Sequence, residues 1–217
     1  MKIVTIIGAR PQFIKAAVVS RAISNFPDVQ EVIVHTGQHF DTNMSDIFFE
    51  EMCIPIPNYN LNINGMTHGA MTGQMLEKIE SILLAEQPDW VIVYGDTNST
   101  LAGALAASKL HIRVAHIEAG LRSYNMNMPE EINRILTDRI SSVLFCPTEQ
   151  AIKNLHQEGF KQFPCTLLNC GDVMQDAALF YANKAQHPDF LLPEHFILAT
   201  LHRAENTDSP ERLQSII

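Results

Sequence analysis

The chain has 217 residues, a formal net charge of −9 and a hydrophobic fraction of 46%. The acidic balance argues against DNA, RNA or an anionic membrane surface as the main partner, and no apolar run is long enough to cross a bilayer. The four cysteines form neither a CxxC pair nor a zinc-finger spacing, which predicts reduced thiols in a cytoplasmic protein and no metal site.

The predicted elements alternate between strand and helix along most of the chain. Short, β-branched apolar runs predict strands, and amphipathic runs that open with a capping residue or proline predict helices. The strands are expected at 2–8, 30–37, 58–63, 90–95, 113–117, 142–146 and 165–170, and the helices at 11–26, 45–52, 68–87, 97–110, 129–140, 148–159 and 172–185.

This alternation predicts an α/β fold with helices on both faces of a parallel sheet, the doubly wound, Rossmann-like class. Residues 1–183 are expected to form this domain, and the proline-bearing stretch 184–195 to be a linker. A strand at 195–201 and a helix at 209–217 follow. Because one strand–helix unit cannot bury its own apolar surface, 196–217 are predicted to open a second, incomplete Rossmann-like domain. The alternative is that this unit joins the first domain.

Ligands of this fold class bind at the carboxyl ends of the strands, next to helix N-termini. Polar residues directly follow five of the apolar runs, and one functional site would explain this concentration. The five stretches are GARPQ (8–12), TGQHF (36–40), GDTNST (95–100), HIEAGLRS (116–123) and LHRAEN (201–206).

Several of these polar residues also have a purely structural interpretation. Asp96 and Thr97 would cap the helix that follows them. Glu130 and Glu131 come after Pro129 at a helix start, where the macrodipole stabilises acidic side chains. From the sequence alone, the structural interpretation is the stronger one for both pairs.

The other candidates are less easily assigned. Arg10 would be a solvated turn residue and His39 a lone loop histidine. Glu118 directly follows an apolar strand, where a carboxylate needs a partner. Arg122, four residues on, would supply it as a structural salt bridge, and this interpretation has the same weight as a functional one. His202 is open to the same two interpretations.

Several well-known ligand and catalytic motifs are absent. The chain has no GxGxxG sequence, which argues against NAD or FAD, and no GxxxxGK[ST] sequence of the P-loop type. It also lacks GxSxG, which weakens a serine-hydrolase interpretation. No cofactor is therefore predicted.

Taken together and in this order, the motifs GARP, TGQH, GDT, HIEAGLRS, PEEINR, FCPT and HRAEN resemble the UDP-N-acetylglucosamine 2-epimerase family. The resemblance implies two Rossmann-like domains around a cleft, the glycosyltransferase B type of architecture. It also implies a UDP-sugar substrate, a homodimer, and members appreciably longer than this chain. The chain is accordingly expected to be truncated, with most uridine-binding residues beyond Ile217.

The catalytic candidates that the resemblance implies carry over residue by residue. They are Asp96 from GDT, Glu118 from HIEAG, Glu130 as the first glutamate of PEE, and His202 from HRAEN.

The resemblance also implies a set of substrate-binding positions. These are Arg10 and Lys15 in the RPQFIK stretch, together with His39, Arg122 and Arg203. Arg122 is expected to support the site.

The chain departs from many members in having GARPQ in place of GTRPE, with Gln12 where an acid is common. With the sequence HRAENTD, this difference favours the branch that acts on UDP-2,3-diacetamido-glucuronate or on other rare bacterial surface sugars. The substrate sugar stays open at this point.

Inversion at C2 of such a sugar is chemically difficult, because the C2 proton has no adjacent carbonyl and no NAD site is present to oxidise a neighbouring hydroxyl. The resemblance implies elimination of UDP to a glycal, followed by re-addition. Asp96, Glu118 and Glu130 would serve as base, acid and stabiliser of the cationic ring, while Arg10, His202 and the helix starts would hold the diphosphate.

Three alternatives to this function are kept. They are a hydrolysing 2-epimerase that releases UDP and N-acetylmannosamine, a glycosyltransferase of the same architecture, and an inactive binding fragment.

Overall fold

The computed structural model describes residues 1–38, 54–201 and 204–217. The strands in these ranges are β1 (Lys2–Ile7), β2 (Gln30–His35), β3 (Tyr59–Asn60), β4 (Trp90–Tyr94), β5 (Arg113–Ile117), β6 (Val143–Cys146) and β7 (Thr166–Asn169). The helices are α1 (Arg10–Ile23), α2 (His68–Glu86), α3 (Asn98–Lys109), α4 (Pro129–Ile140), α5 (Glu149–Gln157), α6 (Val173–Ala182), α7 (Ala204–Thr207) and α8 (Pro210–Ile216), with a 3₁₀ turn at Phe160–Gln162.

The strands form one parallel sheet in the order β3-β2-β1-β4-β5-β6-β7. The chain runs outwards from β1 to β3, returns to the other side of β1 with β4, and continues outwards to β7. The strand order therefore reverses between β1 and β4, and a crevice opens at the carboxyl ends of these two strands. The predicted doubly wound α/β fold is confirmed.

Each face of the sheet has its own apolar core. On one face, Val4 and Ile6 of β1 pack with Met75 and other residues of α2. On the other face, Ile3 and Ile7 of the same strand pack with α1. Successive side chains of a strand point to opposite faces, so a strand covered on both sides needs the continuous apolar run that β1 has.

Two predicted strands differ in the structure. The strand expected at 58–63 is reduced to Tyr59–Asn60, because Asn62 adopts a left-handed φ of 53° that interrupts the extended backbone. The stretch 195–201 forms no strand. Within the described ranges it has no pairing strand, which an extended segment needs, and Ile197 is 96% exposed. The helix expected at 45–52 lies outside the described residues.

The described chain divides into two compact units, Met1–Asn183 and Lys184–Ile217. The first unit contains the whole sheet. In the part of the chain that the structure covers, none of the helices is both long and apolar enough to span a bilayer. The same part contains no cluster of three or more His, Cys, Asp or Glu side chains that could bind a metal ion.

Candidate active site

Gln12 holds the turn after β1 and is 1% exposed. Its Oε1 accepts hydrogen bonds from the backbone N–H groups of Gly8 (2.8 Å) and Ala9 (3.0 Å). Its Nε2 donates to the carbonyl of Tyr94 at 2.8 Å and to the hydroxyl of Thr100 at 2.9 Å. An amide accepts on one side and donates on the other, whereas an ionised carboxylate only accepts. This dual role explains why a glutamine suits position 12.

Gly8 lies where three segments meet. A Cβ atom on Gly8 would stand 2.0 Å from Thr36 Oγ1 and 2.3 Å from Ser99 Oγ, and these two hydroxyl oxygens are 2.8 Å apart. Only glycine allows this close approach. The turns after β1 and β2 and the N-terminus of α3 are thereby brought into contact at the carboxyl edge of the sheet.

Asp96, in the turn after β4, forms an ion pair with Arg134 of α4. The carbonyl of Asp96 accepts a hydrogen bond from Asn133 Nδ2 at 2.9 Å, so α4 fixes both the backbone and the side chain of this aspartate. The predicted capping role belongs to Thr97, whose Oγ1 accepts a hydrogen bond from the N–H of Thr100 at 3.3 Å.

Glu118 is the first residue after β5 and has a φ of +69°, a conformation that non-glycine residues seldom adopt. Its N–H donates to the carbonyl of Phe145 at 3.1 Å, which stabilises this backbone. Its carboxylate forms an ion pair with Lys15 of α1, whose side chain is 9% exposed. The structural interpretation in which Glu118 pairs with Arg122 is therefore wrong.

Gly95 brings together the two acidic turns, namely the turn after β4, which carries Asp96, and the turn after β5, which carries Glu118. It has a φ of +62°, and a Cβ atom on it would stand 3.2 Å from Glu118 Oε2 and 3.3 Å from Lys15 Nζ. The Glu118–Lys15 pair therefore lies directly against the residue that precedes Asp96. Glu118 and Lys15, from separate stretches of the sequence, thus lie against the chain neighbour of Asp96, beside the switch point of the sheet.

The two glutamates at the start of α4 have different surroundings. Glu130 is exposed in the first turn. Glu131 is 1% exposed and accepts hydrogen bonds from the N–H groups of Ser123 at 3.0 Å and Tyr124 at 2.8 Å, while Arg134 Nη1 lies 3.0 Å from its Oε2. Burial raises the pKa of Glu131, but these donors and the Arg134 charge outweigh it and lower that pKa overall.

Arg122 belongs to a buried cluster of charges, and its side chain is 1% exposed. Its Nε and Nη2 donate to the carboxylate of Glu158 at 2.6 and 2.8 Å, and its Nη1 lies 2.8 Å from Asp138 Oδ2. Burial lowers the pKa of Arg122, but the two carboxylates outweigh it and raise that pKa. The guanidinium is thus held by two carboxylates, an arrangement that fits the expected supporting position. The substrate-binding role of Arg122 stays a prediction.

The remaining predicted residues are Arg10, His39, His202 and Arg203. Arg10 is the first residue of α1 and is exposed, so it begins a helix at the carboxyl edge of the sheet. The other three lie outside the described residues and remain predictions.

Arg134 joins Asp96 to Glu131, a role that the sequence motifs did not reveal. Its side chain is 15% exposed. The available signal was the spacing in PEEINR, because residues three apart on a helix share one face. The partner on Asp96 was not visible, since the two residues are 38 positions apart in the sequence.

The site thus combines carboxylates with cations at the switch point of a doubly wound sheet, beside the N-termini of α1, α3 and α4. Carboxylates can exchange protons and stabilise a developing positive charge. Lys15, Arg134 and the helix N-termini can bind an anionic group. These features define a Rossmann-like protein with a candidate site whose side chains could bind an anionic ligand and exchange protons.

Comparisons with known proteins identify the family within this class of Rossmann-like proteins. The model of the UDP-N-acetylglucosamine 2-epimerase family matches residues 21–217. The UDP-2,3-diacetamido-2,3-dideoxy-D-glucuronate 2-epimerase of Pseudomonas aeruginosa is 66% identical over 218 residues, which cover 100% of this chain and 62% of that protein.

Solved structures agree with this match. The Methanocaldococcus jannaschii UDP-GlcNAc 2-epimerase in complex with UDP-GlcNAc and UDP is similar with a TM-score of 0.87 and 49% identity, over 100% of this chain and 60% of that one. The Neisseria meningitidis UDP-GlcNAc 2-epimerase bound to UDP-GlcNAc gives a TM-score of 0.79 and 34% identity, over 85% of this chain and 49% of that one.

The chain belongs to the UDP-N-acetylglucosamine 2-epimerase family, as its motifs predicted. It spans about three fifths of the length of the curated relatives it matches, namely 62% and 61% of two of them.

Proposed function

We propose that this chain forms part of an enzyme that inverts C2 of a UDP-N-acetylglucosamine-type sugar by eliminating UDP and adding it back. The observation that carries the proposal is that Glu118 lies against Gly95, the residue before Asp96, at the switch point. Each of the two carboxylates is paired with a cation, Asp96 with Arg134 and Glu118 with Lys15. The 66% identity to the Pseudomonas aeruginosa protein favours a UDP-2,3-diacetamido-glucuronate as the substrate.

The first half of the reaction breaks two bonds. The C1–O bond breaks and UDP leaves with the electron pair, so positive charge develops on the ring and acidifies the C2 proton. A carboxylate removes that proton, and the electron pair of the broken C2–H bond forms the C1=C2 double bond of a glycal. Glu118 and Asp96 suit this step because both are partly accessible, with side chains 22% and 33% exposed, and both are held by cations.

The second half reverses these steps, but the proton returns to the opposite face of C2 while UDP returns to the face of C1 that it left. A protonated acid delivers a proton to C2 from the side opposite to the base, and an oxygen of the UDP β-phosphate attacks C1. Glu130 is exposed at the start of α4 and is the third carboxylate available for this exchange. Arg10 and the N-terminus of α1 would hold the departed diphosphate. His202 keeps its proposed catalytic role from the family motif.

Proton NMR in heavy water tests this proposal. The chain is incubated with UDP-N-acetylglucosamine or with its diacetamido-glucuronate counterpart, and the Pseudomonas aeruginosa relative serves as the positive control. The proposal predicts deuterium at C2 and a UDP-sugar product of inverted C2 configuration. Recovery of substrate with hydrogen still at C2, under conditions where the relative exchanges it, would contradict the proposal. Release of UDP and free sugar would instead support the hydrolysing alternative.

Two matched substitutions distinguish an acid–base role of Glu118 from the general effect of removing a carboxylate. Glu118→Gln should slow the exchange by about 100-fold or more, because a positioned acid–base group contributes roughly 10²- to 10⁴-fold. Glu77→Gln changes an exposed carboxylate on α2 in the same way and should leave the rate unchanged. Equal effects of the two substitutions would count against Glu118 as an acid–base group.

A further inference from the structure

His116, in the core of the sheet, links the two acidic turns. It is 0% exposed on β5, and both of its ring nitrogens have partners. Nδ1 lies 2.7 Å from Asp138 Oδ1, and Nε2 lies 2.7 Å from the carbonyl oxygen of Gly95. A buried strand histidine is most simply a core residue with satisfied hydrogen bonds. His116 differs because one of its partners, Gly95, directly precedes the candidate catalytic residue Asp96.

Asp138 connects this histidine to the turn after β5. It is 0% exposed, and its Oδ2 accepts a hydrogen bond from the N–H of Gly120 at 3.2 Å and lies 2.8 Å from Arg122 Nη1. The ion pair with Arg122 keeps the carboxylate an acceptor at both oxygens. The carbonyl oxygen of Gly95 only accepts hydrogen bonds, so Nε2 of His116 is the donor of that bond.

The bond to Gly95 acts directly on the proposed site. The Gly95 carbonyl belongs to the rigid peptide plane that joins Gly95 to Asp96. A hydrogen bond that holds this oxygen therefore also holds the backbone nitrogen and Cα of Asp96 in place. The other face of Gly95 lies against the Glu118–Lys15 pair. A rotation of this one peptide plane would therefore move Asp96 relative to Glu118.

We propose that His116 is a positioning residue that sets the relative placement of Asp96 and Glu118 through its Nε2 bond to the Gly95 carbonyl. The inference rests on the proposed function and adds a residue to it. The Nδ1 bond to Asp138 joins β5 to α4 and serves stability, whereas the Nε2 bond serves the geometry of the two carboxylates. The two bonds can be removed separately.

Two substitutions make this separation. The amide nitrogen of asparagine can reach the position of Nδ1, and that of glutamine can reach the position of Nε2. His116→Asn therefore keeps the bond to Asp138 and loses the bond to Gly95, while His116→Gln does the reverse. Each variant loses one buried hydrogen bond, so their melting temperatures should fall by similar amounts.

The activity of the two variants should differ. His116→Asn is expected to lower kcat for C2 deuterium exchange by about 10- to 100-fold, with KM changed less than about twofold, because small misplacements of catalytic groups cost rate more than binding. His116→Gln should stay within about threefold of the unsubstituted chain. Equal losses in both variants, or a loss confined to His116→Gln, would overturn the proposal.

A measurement on the unsubstituted chain tests the hydrogen bond between His116 and Gly95 independently of enzymatic activity. In the ¹⁵N,¹³C-labelled protein, NMR should detect a scalar coupling across the hydrogen bond between His116 Nε2 and the Gly95 carbonyl carbon. Absence of this coupling would overturn the positioning role even if neither variant folds. If the coupling is present and the unsubstituted chain exchanges no C2 proton, the proposed function fails while the placement of His116 stands.

Discussion

At the scale of single residues, the site is built from charges that have identified partners. Glu118 pairs with Lys15 and Asp96 with Arg134. The attraction within each ion pair offsets the desolvation cost of these partly buried charges. Removing one member leaves the other uncompensated, so substitutions of these four residues affect stability as well as chemistry. Glu131 is better suited to test the scaffold alone, because it is almost fully buried beneath the site.

Replacement of Glu131 by glutamine should lower the free energy of unfolding by about 2 kcal/mol at pH 7, since hydrogen bonds to an ionised group contribute roughly 1.5–3 kcal/mol. The pKa of Glu131 is lowered in the folded chain. Its carboxylate therefore stabilises the fold fully above the unfolded-state pKa of about 4.3, and this contribution is lost as pH falls through the lower folded value. Urea denaturation from pH 7 down to pH 3 should show the difference between the two proteins shrinking.

Glu130→Gln is the matched control, because that side chain is exposed one position earlier on the same helix. Its unfolding free energy should stay within about 0.5 kcal/mol of the unsubstituted chain. A difference for Glu131→Gln that does not change with pH would show that packing, and not the charge of the carboxylate, is responsible.

At the scale of elements, α3 reaches the switch point because it packs very closely on the sheet. Its buried residues are mostly small, among them Gly103. A Cβ atom on Gly103 would stand 3.0 Å from Ile6 Cγ1. The close approach places the N-terminus of α3, with Ser99 and Thr100, against the turn after β1.

Gly103→Val should destabilise the chain by about 1–3 kcal/mol, because the added methyl groups meet Ile6 in a packed core. Gly73→Val is the matched control in α2, since nothing lies within 4 Å of a Cβ atom there. Valine favours helix over glycine by a few tenths of a kcal/mol, so this control should be neutral or slightly stabilising. Chemical denaturation of both variants measures the difference, and equal stabilities would show that α3 does not pack as closely as described.

Most elements could be predicted because their periodicity is local. The run of β1 and the amphipathic face of α2 carry the signal within one segment. The strand at 195–201 could not be judged in this way, since its apolar run has the right composition but strand formation depends on a neighbour. The strand at 58–63 was shortened by the backbone conformation of a single residue, Asn62.

The candidate site was predicted in part for the same reason. The sequence pointed to Asp96 and Glu118 because they follow strands, and to Lys15 through the family resemblance. It did not indicate the partners, since Lys15 and Glu118 are 103 positions apart and only the strand order brings them together. The interpretation of Arg122 as a partner of Glu118 followed from proximity in sequence, which the fold overrides.

At the scale of the whole molecule, the strand order decides where chemistry is possible. The reversal between β1 and β4 opens a crevice at one edge of the sheet, and three turns deliver their polar residues to it. The chain carries a net charge of −9, yet this edge presents Arg10, Lys15 and Arg134. Local cations in an acidic protein suit an anionic small ligand better than a polyanion such as nucleic acid.

An NMR titration of the ¹⁵N-labelled chain with UDP-N-acetylglucosamine tests the central claim, that the site lies at this switch point. Backbone amide signals of Gly8, Gly95, Glu118 and Gly120 should shift together and saturate with one dissociation constant. A cavity of about 350 Å³ beside α2, lined by Glu77, Lys78 and Ser81, provides the comparison. Shifts confined to that cavity, or no shifts at the three turns, would contradict the account.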